Sequence, residues 1–133
     1  MLKEVIDIEL VELRLQRIIK NYGTSLTLNS KEITYRINTK VQDRNIDGIE
    51  IDDPYIMDST DTFFPQRLSR ITKERVNAPG FDYWRVIVEF DGTNQMIQIF
   101  GTEKMVGEIY DKVIQFKKDY DVEKEANNFI KLK

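Results

Sequence analysis

The residues of this chain whose types and spacing suggest chemistry lie in two charge blocks. Between Asp43 and Asp61, seven carboxylates (Asp43, Asp47, Glu50, Asp52, Asp53, Asp58, Asp61) stand against one cation, Arg44. Between Arg67 and Arg85, five cations (Arg67, Arg70, Lys73, Arg75, Arg85) stand against two anions, Glu74 and Asp82. Oxygens at alternate positions followed by glycine are how a calcium loop wraps a hard cation, and Asp43-Arg44-Asn45-Ile46-Asp47-Gly48 begins in that way. The match then fails. The twelfth position, where a bidentate Glu belongs, is Pro54, and Glu50 stands where such loops carry an apolar residue. Asn, Asp and Gly are also simply what turns use. Asp43, Asn45 and Asp47 are therefore the one candidate ligand set, and no metal or other cofactor is expected.

As surfaces the blocks point in two directions. The acidic one, with Asp43, Asp47, Glu50, Asp52 and Asp53 foremost, suits a basic protein partner or a mimic of phosphate charge. Its plainer reading is a solvated loop that blunts a sheet edge. The basic one suits phosphate on nucleic acid or a lipid head group, because the guanidinium forks of Arg67, Arg70 and Arg75 match phosphate oxygens. Phe63, Phe64, Tyr83 and Trp84 lie near in sequence, where they could stack bases. Its plainer reading pairs these arginines with the acidic block across the fold. The net charge of −3 is too small for a dedicated nucleic-acid binder.

The absences narrow the field further. There is no cysteine and no histidine, which excludes disulfides, thiol nucleophiles, zinc held by Cys or His, and any Ser-His or Cys-His arrangement. No Asp/Glu-x-Lys occurs, and neither phosphate-binding glycine motif is present. Catalysis has no support, so the chain is read as a non-enzyme. Lys3, Glu4, Asp7, Glu9 and Glu12 would interrupt the apolar core of a signal peptide. No apolar run approaches the ~18–20 residues of a membrane span. A cytoplasmic location is the expectation.

The elements that must position these blocks are clearest from Asp82 to Tyr120. Trp84, Val86, Val88 and Phe90 alternate with Tyr83, Arg85, Ile87 and Glu89, the period of a strand with one buried face. Asp91–Gly92–Thr93–Asn94 is a hairpin turn, and Gln95–Phe100 is the return strand. Thr102 is a good N-cap for a helix in which Met105, Val106, Ile109, Tyr110, Val113, Phe116 and Tyr120 recur at helical spacing. Gly107 inside that helix reads as a site of close packing on the sheet. Asp121 is placed to cap a second, short helix over 121–133.

Upstream, Ser25–Leu28 and Ile33–Val41 flank a turn at Asn29–Glu32 and read as a hairpin. Asn21–Tyr22–Gly23 reads as a stop and Asn77–Gly80 as a break. Leu68–Val76 is a further strand. Asp43–Phe64 lacks periodicity and reads as a long loop with a short strand at Ile49–Ile51, and long loops in compact domains are often functional. Residues 4–20 admit two readings. The run without Gly or Pro favours helix, and its β-branched content favours strand, which we prefer.

The 133 residues form one domain in this reading, of the α+β class: an antiparallel, bent sheet or partly open barrel closed by a C-terminal helix. The run of strands ending in Tyr83–Phe90, Asp91–Asn94, Gln95–Phe100 and the helix Thr102–Tyr120 resembles the end of a pleckstrin-homology-like domain. The resemblance covers about half the chain and rests on element order, so no family site residues are carried across. It implies a non-catalytic module that binds proteins or lipid head groups. The leading expectation is a small binding or adaptor protein with a protein partner, in one variant a phage or mobile-element inhibitor of a host protein. The alternative is a phosphate-directed binder of nucleic acid or lipid through Arg67–Arg85. Self-association stays open.

Overall fold

The structure, a computed structural model, describes residues 3–8, 17–44, 47, 49–78 and 81–131. Its strands are β1 (Lys3–Asp7), β2 (Arg17–Asn21), β3 (Ser25–Asn29), β4 (Ile33–Asp43), β5 (Tyr55–Phe63), β6 (Leu68–Ala78), β7 (Phe81–Phe90) and β8 (Met96–Gly101). Among the described residues one α-helix, α1 (Glu103–Lys131), follows the strands. The strands make a curled, half-barrel arrangement of antiparallel ladders, which is the α+β architecture expected.

In the first ladder β4 is central. β3 and β2 follow each other along one side of it, β5 runs along the other, and β1 flanks β3. The second ladder is the meander β6-β7-β8. Asn29 shapes the β3–β4 turn as expected: its Oδ1 accepts the Lys31 N–H at 2.9 Å, and its own N–H donates to the Glu32 carbonyl at 3.1 Å.

Asn21–Tyr22–Gly23 does not stop the strand. Asn21 pairs Thr39 and Ser25 pairs Arg36, so Tyr22, Gly23 and Thr24 oppose only Ile37 and Asn38, and the insertion is a β-bulge. Gly23 takes φ 128°, a conformation open to glycine. The Thr24 hydroxyl accepts the Asn38 N–H at 3.1 Å, and Tyr22 N–H donates to the Asn38 carbonyl at 2.8 Å. β2 and β3 thus act as one bent strand. Within 4–20, both ends are strand, as preferred, and 9–16 lie outside the described residues.

The core lies between the inner faces of the two ladders and α1. Leu26, Leu28, Ile33 and Tyr35 come from the first, Val86, Val88, Phe90, Ile97 and Ile99 from the second, and Val106, Ile109, Val113 and Phe116 from the helix. Val86, Val88 and Phe90 and the four helix residues are the period-two and helical positions read from the sequence. Thr102 caps α1 by accepting the Met105 N–H at 3.2 Å. Among the described residues no second helix starts at Asp121, because α1 runs unbroken to Lys131 and Asp121 instead accepts the Lys117 ammonium at 2.9 Å, one turn away. Gly107 is not a close-packing site either: a Cβ added there would meet nothing within 4 Å. Gly107→Ala should therefore stabilise the protein by about 0.5–1 kcal/mol, read as a higher urea midpoint, since only backbone entropy changes. No helix among the described residues is long and apolar enough to cross a membrane.

Candidate functional site

The segment read as one long loop is the main correction. Residues 55–63 form β5, a nine-residue strand paired residue for residue with β4 from Ile33↔Phe63 to Val41↔Tyr55. It escaped the period-two test because Tyr55 to Thr62 are exposed on both faces, so nothing selects for alternation. A signal was present in composition: Tyr55, Ile56, Thr60, Thr62 and Phe63 are strand formers bounded by Pro54 and Pro65. Among the described residues, 49–54 form no strand. Ile49–Ile51 is not a strand, and only an isolated bridge joins Arg44 to Glu50.

That loop is tied to the end of β4. The Gln42 side-chain amide donates to the carbonyls of Asp43, Ile51 and Asp52 at 3.0–3.2 Å, and Ile51 N–H donates to the Asp43 carbonyl at 3.0 Å. Asp52 adopts φ 61°, a left-handed conformation that Asp tolerates better than most residues. Of the candidate ligand set, Asn45 lies outside the described residues. Among the described residues no group of three or more His, Cys, Asp or Glu could hold a metal ion.

Among the described residues β5 pairs with β4 alone, so its other edge is open. Which backbone groups line that edge follows from alternation. Asn29 donates to Glu32 and Tyr22 to Asn38, so even-numbered residues of β4 turn their peptide groups toward β3 and β2, and odd-numbered ones toward β5. Direct partners share this state. Hence Ile56, Asp58, Thr60 and Thr62 of β5 aim their N–H and C=O groups outward. Exposed apolar side chains lie on the strand itself and just after it: Ile56 at 70%, Phe64 at 56% and Met57 at 42% of full exposure.

Side chains opposite one another share a face of the sheet. On the inner face one row runs Glu4–Leu28–Ile33–Phe63 and the next Ile6–Leu26–Tyr35–Asp61. Both rows end in a carboxylate. Glu4 is answered by Lys112 of α1 at 2.9 Å, whereas among the described residues no cation pairs with Asp61. Asp61 instead lies beside the buried Tyr35 phenol, whose pKa is pushed up to about 12, chiefly by burial and secondarily by that carboxylate. On the outer face Arg36 reaches Asp58 at 3.2 Å and Thr60 Oγ1 at 3.2 Å.

The basic block is not gathered into one patch. On β6 and β7 consecutive residues alternate between faces. Arg70 and Arg85 are each answered across the ladder, Arg70 by Glu89 at 3.8 Å and Arg85 by Glu74. Lys73 sits over the Tyr110 ring, 4.9 Å from its centroid, on the helix side. Arg67 lies apart, against the β7–β8 turn at Gly92, and its carbonyl accepts the Asp91 N–H at 2.7 Å. Arg70 and Arg85 are thus engaged by glutamates of their own ladder, and Lys73 by a ring of α1. Trp84 is packed against the core as expected.

No family model matches the chain, and no curated protein or solved structure matches it either.

Proposed function

We propose that this chain is a non-catalytic binding protein whose contact surface is the open edge of β5 with the acidic loop that leads into it. One observation carries the reading. A nine-residue strand presents four residues' worth of unpaired peptide groups beside the exposed Ile56 and Met57, without a covering element among the described residues. Peptide groups of this kind are what an added strand from a partner uses, with main-chain hydrogen bonds for affinity and neighbouring side chains for selectivity. The order of a first antiparallel sheet, a three-strand meander and a closing helix also supports the resemblance to a pleckstrin-homology-like module. Nucleic acid or lipid is the weaker reading, since Arg70 and Arg85 are already matched by glutamates.

Thr60→Pro tests it. Proline removes an N–H that faces away from β4, a position that edge strands tolerate, together with the exposed hydroxyl that Arg36 reaches, and leaves the backbone ladder to β4 intact. A protein captured from the native host by the wild type should be lost on Thr60→Pro with thermal stability preserved. Equal capture by both would reject the edge as the contact surface.

A further inference from the structure

The occupant of this edge can be narrowed from its charge. β5 carries Asp58 and Asp61 and no cation, and Glu50, Asp52 and Asp53 precede it in the chain. Asp58 is partly answered by Arg36, but among the described residues no cation pairs with Glu50, Asp52, Asp53 or Asp61. A second copy of this chain pairing β5 against β5 would bring two such sets of carboxylates together, and like charges across strands are unfavourable. The same charges would attract a strand of opposite sign. At the far edge of the sheet the fold itself supplies a cation to such a carboxylate, where Lys112 of α1 answers Glu4. Asp61 holds the equivalent inner-face end position, with the exposed Met57 and Tyr55 beyond it on the same face.

We infer that β5 takes up an extended segment of another protein that bears Lys or Arg beside apolar side chains on one face, the cation seated against Asp61. This rests on the strand-addition reading given above. The competing account of the same residues is that Asp58 and Asp61 only guard an edge against aggregation, in which case the charge of an incoming strand would not matter beyond repelling copies of itself.

The test uses the full chain and two synthetic peptides as long as β5. They share one Val- and Thr-rich sequence and differ only in carrying Lys or Glu at the same two positions on one face. The Lys peptide should bind and slow amide hydrogen exchange at Ile56, Asp58, Thr60 and Thr62. Added salt should weaken it, and Asp61→Asn should weaken it by about two- to fivefold, the scale of one exposed ion pair. Asp61→Lys should transfer the preference to the Glu peptide, and Thr60→Pro should abolish binding of either. Equal binding of both peptides, lost on Thr60→Pro, would leave strand addition standing and overturn the basic partner. Binding of neither, or binding of the Lys peptide unaffected by Thr60→Pro, would overturn strand addition itself. Concentration-dependent dimerisation that protects the same four amides would make a second copy the occupant and overturn the inference.

Discussion

Phe90→Ala is expected to cost about 3–5 kcal/mol of folding stability, the largest effect of any substitution considered for this protein. Phe90 is 5% exposed and stacks on Phe63, with ring centroids 4.4 Å apart and planes 11° from parallel. The two rings belong to different ladders: Phe63 ends β5 opposite Ile33, and Phe90 ends β7 opposite Leu68. Their contact joins the halves of the barrel where the chain crosses from one to the other through the single 3-10 turn Pro65–Arg67. Truncation removes the transfer free energy of the ring, its stacking partner and the packing around it. Urea unfolding followed by Trp84 fluorescence measures it. A loss below about 1.5 kcal/mol would mean that the corner collapses around the missing ring.

The second large effect is alkaline. Folding raises the Tyr35 phenol from 10.0 to about 12, first by burial and then by the carboxylate of Asp61. The folded chain therefore holds this proton more tightly than the unfolded chain does. Below the unfolded value both states keep the proton, and the contribution is fully present. As pH rises past it the unfolded chain releases its proton first, so stability falls until the folded phenol also ionises. Over that window the loss from this one group is about 2–3 kcal/mol. Urea midpoints for the wild type and Tyr35→Phe, compared across the alkaline range, isolate it. The wild type should lose stability there that Tyr35→Phe keeps, and Asp61→Asn should lose somewhat less than the wild type. Parallel curves for wild type and Tyr35→Phe would show that Tyr35 is not held this way.

Much of the scaffold was legible because its signals are local. In Trp84–Phe100 the alternation, the Asp91–Gly92 turn and the β-branched return strand all lie within a few residues, and so do the Thr102 cap and the apolar stripe of α1. The errors lie where the deciding interaction is distant or missing. Gly23 looks like a terminator from its neighbours, yet the Asn38 peptide and the Thr24 hydroxyl make it a bulge inside a continuing strand. Gly107 looks like a packing site, yet the space beside it is open. Asp121 would cap a helix if the chain turned there, but nothing interrupts the hydrogen bonds of α1.

The site divides along the same line. Residue types alone excluded thiol and imidazole chemistry and marked Asp43–Asp61 as acidic and Arg67–Arg85 as basic. They also led to the α+β architecture, because periodicity reports which face of an element is buried. What tertiary structure decided is how those charges are used. Alternation across the β6–β7 ladder gives Arg70 and Arg85 their glutamates, so sequence neighbours do not make a patch. Pairing with β4 turns the exposed, aperiodic stretch Tyr55–Phe63 into an edge strand. A strand exposed on both faces carries no burial pattern to read, so composition alone marks the strand formers of β5, and the unpaired peptide groups of Ile56, Asp58, Thr60 and Thr62 emerge only once the long-range register with β4 is known.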